Sequence, residues 1–155
     1  MSTTKSKKKL VDVRNIEEDT LANKSYRKVL YTVPKQMQLV VMSLAPGESI
    51  PCETHRSGSQ FVRVESGNGV CTVGKTKKTE YVLSDGISLT ISPGVHHCFT
   101  NVDNRKHLKM YLLYSPPEHP NSRHQQRQPT AGRKRKAQAA AATQSEHKMA
   151  TRQRK

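Results

Sequence analysis

The chain has 155 residues, room for one domain of ordinary size. Its formal net charge is +15 and only 33% of its residues are hydrophobic, which implies that part of it stays outside any core. No run reaches the length of a membrane span and the lysine-rich start lacks the apolar stretch of a secretory leader, so membrane and secreted classes are set aside and an intracellular protein, cytoplasmic or nuclear, is expected.

The charge sits at the two ends. Lys5, Lys7, Lys8 and Lys9 lie in the first nine residues, and residues 121–155 hold ten basic side chains against one acid, Glu146. Residues 10–120 are nearly neutral, with thirteen basic and eleven acidic side chains. This is the pattern of a neutral domain with cationic arms, not of a basic-faced domain. The expected organisation is a flexible basic arm over 1–20, a β-barrel over 21–120 and a disordered basic tail over 121–155.

In chain order, residues 10–24 mix acids with apolar residues and read as a short turn or an arm lying on the domain. Lys28–Val33 is β-rich and stops at Pro34. Met37–Ser43 is a mostly apolar run of strand length, fit for burial on both faces. Further strands are expected over Ser59–Glu65, Gly69–Gly74, Thr79–Leu83, Ile87–Ile91, His97–Asn101 and His107–Tyr114. Gly67-Asn68-Gly69, Asp85-Gly86 and Pro93-Gly94 punctuate them. Short strands at this spacing argue for an all-β sandwich or barrel. After Pro120 large apolar residues nearly vanish. Arg133, Lys134, Arg135 and Lys136 form a compact cluster suited to nuclear import or to electrostatic contact with nucleic acid, and without interleaved aromatics that contact would be independent of sequence.

Four polar side chains stand out within the strand region. Glu53 and His55 are two apart, so in a strand they share a face. Gln60 follows a polar bend, and His97 arrives from a second strand after Pro93-Gly94. Two nitrogens and two oxygens suit a divalent first-row metal, with iron, manganese, zinc and nickel not distinguished. Glu53, if not a ligand, is placed to act as a general base. Without an ion, the same groups would bond to one another in a small-molecule pocket. Arg63 shares a face with Phe61 and reads either as an anion-binding group inside the barrel or as a surface arginine paired with an acid. His96, next to His97, points to the opposite face. Cys52, Cys71 and Cys98 form no Cys-x-x-Cys pair and read as free thiols of a reducing compartment, Cys52 and Cys71 in the core and Cys98 outward or in an apolar layer.

From Gly47 through Glu53, His55, Gln60 and Gly67, then Gly86, Gly94, His97 and Asn101, the chain resembles the cupin family. Glu53 stands at the first histidine position of the first cupin motif, Gln60 at its glutamate position and Ser92 at the proline position of the second motif. The Glu-x-His and Gln-Phe pattern, the lead-in from Gln38 to Gly47 and the exit from Tyr111 to Pro120 are similar to those of a subgroup of small bacterial-type cupins. The resemblance implies a double-stranded β-helix, the jelly-roll barrel, with Glu53, His55, Gln60 and His97 as metal ligands. It implies either a metal-dependent enzyme acting on a small molecule such as a sugar derivative or a non-catalytic binding or structural protein. Expected partners are a small-molecule ligand, nucleic acid through the tail and a second copy in a homodimer; no membrane is expected.

Overall fold

The structure, a computed structural model, describes residues 10–128. It contains one short helix, α1 (Ile16–Ala22), and ten strands: β1 (Arg27–Val33), β2 (Met37–Leu44), β3 (Ser49–Thr54), β4 (Ser59–Ser66), β5 (Gly69–Val73), β6 (Thr79–Leu83), β7 (Ser88–Ile91), β8 (His96–Asn101), β9 (Leu108–Ser115) and β10 (His124–Gln125). All recorded strand pairings are antiparallel. They form a six-stranded sheet of order β10-β1-β2-β9-β4-β7 and a four-stranded sheet of order β3-β8-β5-β6. This is the all-β architecture that the strand spacing implied, in the jelly-roll form that the cupin resemblance implied.

The core follows from alternation. In β9, Leu108, Met110, Leu112 and Tyr114 are buried while the residues between them are not. Val62 and Val64 of β4, Val40, Met42 and Leu44 of β2, and Phe99 of β8 join them in one apolar cluster between the sheets. Strand β2 is buried on its other face as well, because α1 lies against β2 and β9. Asn15 caps α1 by accepting from Glu18 N, and Glu17, Glu18 and Asp19 occupy the first turn, where carboxylates suit the helix dipole. Lys109 of β9 donates to the carbonyls of Leu21 and Asn23 at the other end of α1, fastening it to the sheet.

Three features depart from the expected layout. The ordered chain runs past Pro120: β10 pairs with β1, and Ser25 Oγ lies 2.7 Å from His124 Nε2. The cluster Arg133 to Lys136 lies outside the described residues. Arg63 is on the outer face of β4, its Nε 3.3 Å from Glu65 Oε1, so of its two readings the surface arginine paired with an acid holds and the anion-binding group inside the barrel does not. Its neighbour Phe61 is on that outer face too, packing against Tyr111 at a ring separation of 6.1 Å.

The third departure concerns the thiols. Cys52 and Cys98 form a disulfide across β3 and β8, with Cα atoms 4.2 Å apart, rather than remaining free. Cys52 is exposed rather than buried in the core. Only Cys71 is a free thiol among the described cysteines, and it is buried in the core as expected. The cause is local. The β3–β8 register shifts between Ile50 and Glu53, so three steps on β3 match two on β8, from Phe99 to His97. Pro51, which has no N–H to give to a ladder, sits in this bulge, and Cys52 turns outward beside Cys98.

Candidate metal centre

The same bulge builds the site. Simple alternation would put Ile50 and Glu53 on opposite faces, because they are three residues apart. The extra residue restores the inward direction after Ile50, so Glu53 and, one residue past the strand, His55 face the same interior as His97. A bend at Arg56 and Ser57 then returns the chain into β4, whose buried Gln60 comes in from the other sheet.

The distances are short. Glu53 Oε1 lies 3.2 Å from His55 Nε2 and 3.8 Å from His97 Nε2. Gln60 Oε1 lies 2.9 Å from His97 Nε2. Glu53, His55 and His97 each offer a ligand atom, all within 4.8 Å of one another. Donors held at about 2.1 Å from one cation stand roughly 3.0–3.4 Å apart, so the set needs only small adjustments to share an ion.

Hydrogen bonding orients His97. Its Nδ1 lies 2.9 Å from the Val95 carbonyl oxygen, which can only accept, so Nδ1 carries the proton. Burial is the main reason its pKa is lowered from the usual histidine value, so the ring is neutral and Nε2 presents a lone pair. That lone pair faces Gln60 Oε1 and Glu53 Oε1, both acceptors. A cation between them satisfies all three. Turning the Gln60 amide over satisfies only the His97–Gln60 pair. Among the described residues, the buried atoms Gln60 Nε2, Tyr114 Oη and His119 Nε2 have no hydrogen-bond partner. Gln60 and Tyr114 face each other across β4 and β9, and the Tyr114 ring lies 5.6 Å from that of His55 and 5.1 Å from that of His119.

Two residues that motif reading did not single out complete the surroundings. Glu118 Oε1 lies 3.3 Å from His55 Nδ1, on the far side of the ring from Glu53. Gln38, fully buried, donates from Nε2 to the His119 carbonyl and accepts from His119 N, pinning the exit segment after β9. Both belong to the lead-in and exit stretches noted in the sequence. Which side chains they hold depends on the path of the exit segment, which no spacing rule gives. Asn101 has a structural part: its Nδ2 donates to the carbonyls of Leu44 and Lys106. His96 points away from the centre, with Nδ1 3.0 Å from Thr54 Oγ1.

Comparison with known proteins agrees with this architecture. The family profile described as a cupin domain matches residues 40–114. Protein L612 of Acanthamoeba polyphaga mimivirus is 42% identical over 122 residues, covering 79% of this chain and 76% of that protein. YrkC of Bacillus subtilis is 36% identical over 111 residues, covering 70% of this chain but only 59% of its own length. The crystal structure of BH2720 from Bacillus halodurans superposes with a TM-score of 0.70 at 34% identity, covering 74% of this chain and 88% of that one. With two packed antiparallel sheets, in-frame motif residues and these relatives, the chain belongs to the cupin superfamily.

Proposed function

We propose that this cupin holds one divalent transition-metal ion through Glu53, His55 and His97, with the Gln60 amide oxygen as a weaker fourth donor, and that it acts as a metal-dependent enzyme on a small molecule. The observation that carries this reading is the orientation of His97: a neutral ring, fixed by the Val95 carbonyl, aims its lone pair at two further acceptors. Two histidines and one carboxylate leave open coordination positions, and iron, manganese, zinc and nickel all accept such a set.

A bound ion would supply Lewis acidity and a more acidic bound water. The protein supplies the rest. Val95 and Glu118 hold the two imidazoles in place. The Glu53 side chain is 27% exposed, so a small molecule can reach the open coordination positions beside it. Burial pushes the Tyr114 phenol well above its ordinary pKa, so it stays protonated as a hydrogen-bond donor. Phe99, packed edge-on against His97 at 5.7 Å, keeps the floor of the site apolar.

Elemental analysis of the purified protein tests this reading, wild type against a His55→Ala, His97→Ala double variant. Near-stoichiometric metal in the wild type and its loss in the variant are expected. Equal, sub-stoichiometric metal in both would overturn the proposal and leave a hydrogen-bonded pocket with the Gln60 amide reversed.

A second reading concerns the tail. The concentration of ten basic residues in 121–155 against one acid supports electrostatic contact with nucleic acid, or nuclear import through Arg133, Lys134, Arg135 and Lys136. A salt titration of duplex DNA binding checks the first of these, full chain against a chain ending at Gln128, which keeps β10. Steeply salt-dependent binding lost on truncation is expected. Binding that survives truncation would rule out the tail as its source.

A further inference from the structure

On the opposite face of the strand pair that carries Glu53 and His97, a second cluster of metal-ligating groups is assembled. Cys52 and Cys98 face outward from β3 and β8, and His96 stands two residues before Cys98 on that face. One ligand atom from each of Cys52, His96 and Cys98 lies within 4.8 Å of the other two. Cys52 is exposed and the other two are partly so, and a solvent-borne ion or reductant can therefore reach them. None of the three belongs to the inner centre.

We propose that this outer cluster is a redox-gated site for a thiophilic cation, of which Zn²⁺ is the representative. In the state seen here the two sulfurs are bonded to each other, and the site is closed. A dithiol reductant opens it by thiol–disulfide exchange. One reductant thiolate attacks a protein sulfur and forms a mixed disulfide, releasing the other cysteine as a thiolate. The second reductant thiolate then displaces the remaining protein sulfur. The dithiol leaves as a disulfide, and Cys52 and Cys98 have gained two electrons and, as thiols, two protons. Zinc binding expels those two protons, giving two thiolates and one imidazole around the ion. Solvent takes the fourth position of a tetrahedron. Thr54 Oγ1, 3.0 Å from His96 Nδ1, orients the ring as outer partners of histidine ligands do. Cys71 does not compete: it is buried, and burial pushes its thiol up to about 11.

The test uses the full chain with the inner centre removed by His55→Ala and His97→Ala, so that added metal reports only on the outer cluster. Co²⁺ serves as the probe, because cobalt thiolates give a charge-transfer absorption that carboxylate and imidazole ligands do not. After reduction with dithiothreitol and its anaerobic removal, this absorption is expected to grow to saturation at one equivalent and to be displaced by Zn²⁺. It should be absent in the oxidised protein and in a Cys52→Ser variant. His96→Asn leaves the disulfide pair intact and guards against a folding artefact. It should weaken binding by more than about 10-fold, the loss that even an outer-partner change brings. No thiolate absorption in the reduced protein, absorption persisting in Cys52→Ser, or unchanged affinity in His96→Asn would each overturn the proposal. Because both inner histidines are absent throughout, these outcomes are independent of the inner-centre reading.

Discussion

Glu118 Oε1 stands 3.3 Å from His55 Nδ1, while Glu53 Oε1 stands 3.2 Å from Nε2 of the same ring. A carboxylate only accepts, and a neutral imidazole has one N–H. Here the His55 ring hydrogen-bonds through Nε2 to Glu53 Oε1; with an ion in the centre the proton would move to Nδ1, toward Glu118, and the Nε2 lone pair would face the ion, as that of His97 does through Val95. His97 is thus oriented from behind by a backbone carbonyl, and an acid of the exit segment stands at ion-pair distance behind His55.

The first prediction follows from this pairing. Glu118→Ala should lower metal affinity by about 10- to 100-fold while leaving the stoichiometry at saturating metal unchanged. Competition with a chromophoric chelator measures it. An unchanged affinity would mean that His55 needs no second partner.

The second prediction concerns the disulfide. Cys52 and Cys98 are 46 residues apart, and the loop they close restricts the unfolded chain by about 4 kcal/mol in the loop-entropy description. Losses on removal commonly run about 2–5 kcal/mol. A Cys52→Ser, Cys98→Ser protein should therefore unfold at lower urea than the oxidised wild type by about that amount. The gap should close when the wild type is reduced in metal-free buffer. Equal midpoints under oxidising conditions would contradict this.

How much of this was legible in the sequence depends on whether a feature is local. The inward set of β9 could be read directly, because Leu108, Met110, Leu112 and Tyr114 alternate without interruption. Strand limits were marked by glycine and proline, as at Pro34 and Pro93-Gly94. The pairing of Glu53 with His55 also follows from alternation. What alternation cannot supply is a bulge. Ile50 and Glu53 both face inward only because the β3–β8 register shifts between them, and the same shift places Cys52 beside Cys98. Alternation places Arg63 on the face of Phe61, but an aromatic residue does not identify the interior: Phe61 packs on Tyr111 outside the barrel. Glu118 was out of reach because its contact with His55 spans 63 positions and rests on Gln38 pinning the exit segment.

The third prediction separates two motif glycines. Gly67, at φ 90°, would place a Cβ 2.3 Å from the His107 carbonyl oxygen, a backbone atom that cannot step aside alone. Gly94, at φ 81°, has open space around the same added atom. Gly94→Ala should cost about 1–2 kcal/mol, the strain of a left-handed residue. Gly67→Ala adds a backbone clash to that strain and should cost more. Thermal or urea unfolding of the two variants gives the order, and equal losses would show that the His107 segment yields freely.

The fourth prediction is a pH dependence. Burial, and then the positive charges of Arg27 and Arg123, lower the pKa of His119 to about 4. In the unfolded chain the group returns to its ordinary value of about 6.5. Between these values the unfolded state binds more protons than the folded one, so stability must fall as pH drops from about 6.5 toward 4. Above that window both states are neutral at this group and it has no influence. His97, also lowered by burial, pushes in the same direction, so its slope adds to that of His119. Urea midpoints of chelator-treated protein across this range should therefore decline with acid. His119→Gln should retain only the shallower decline left by His97 and the remaining groups. Identical slopes in the two proteins would mean that His119 takes up its proton in the folded state at the ordinary pH, and that the exit segment is open to water around it.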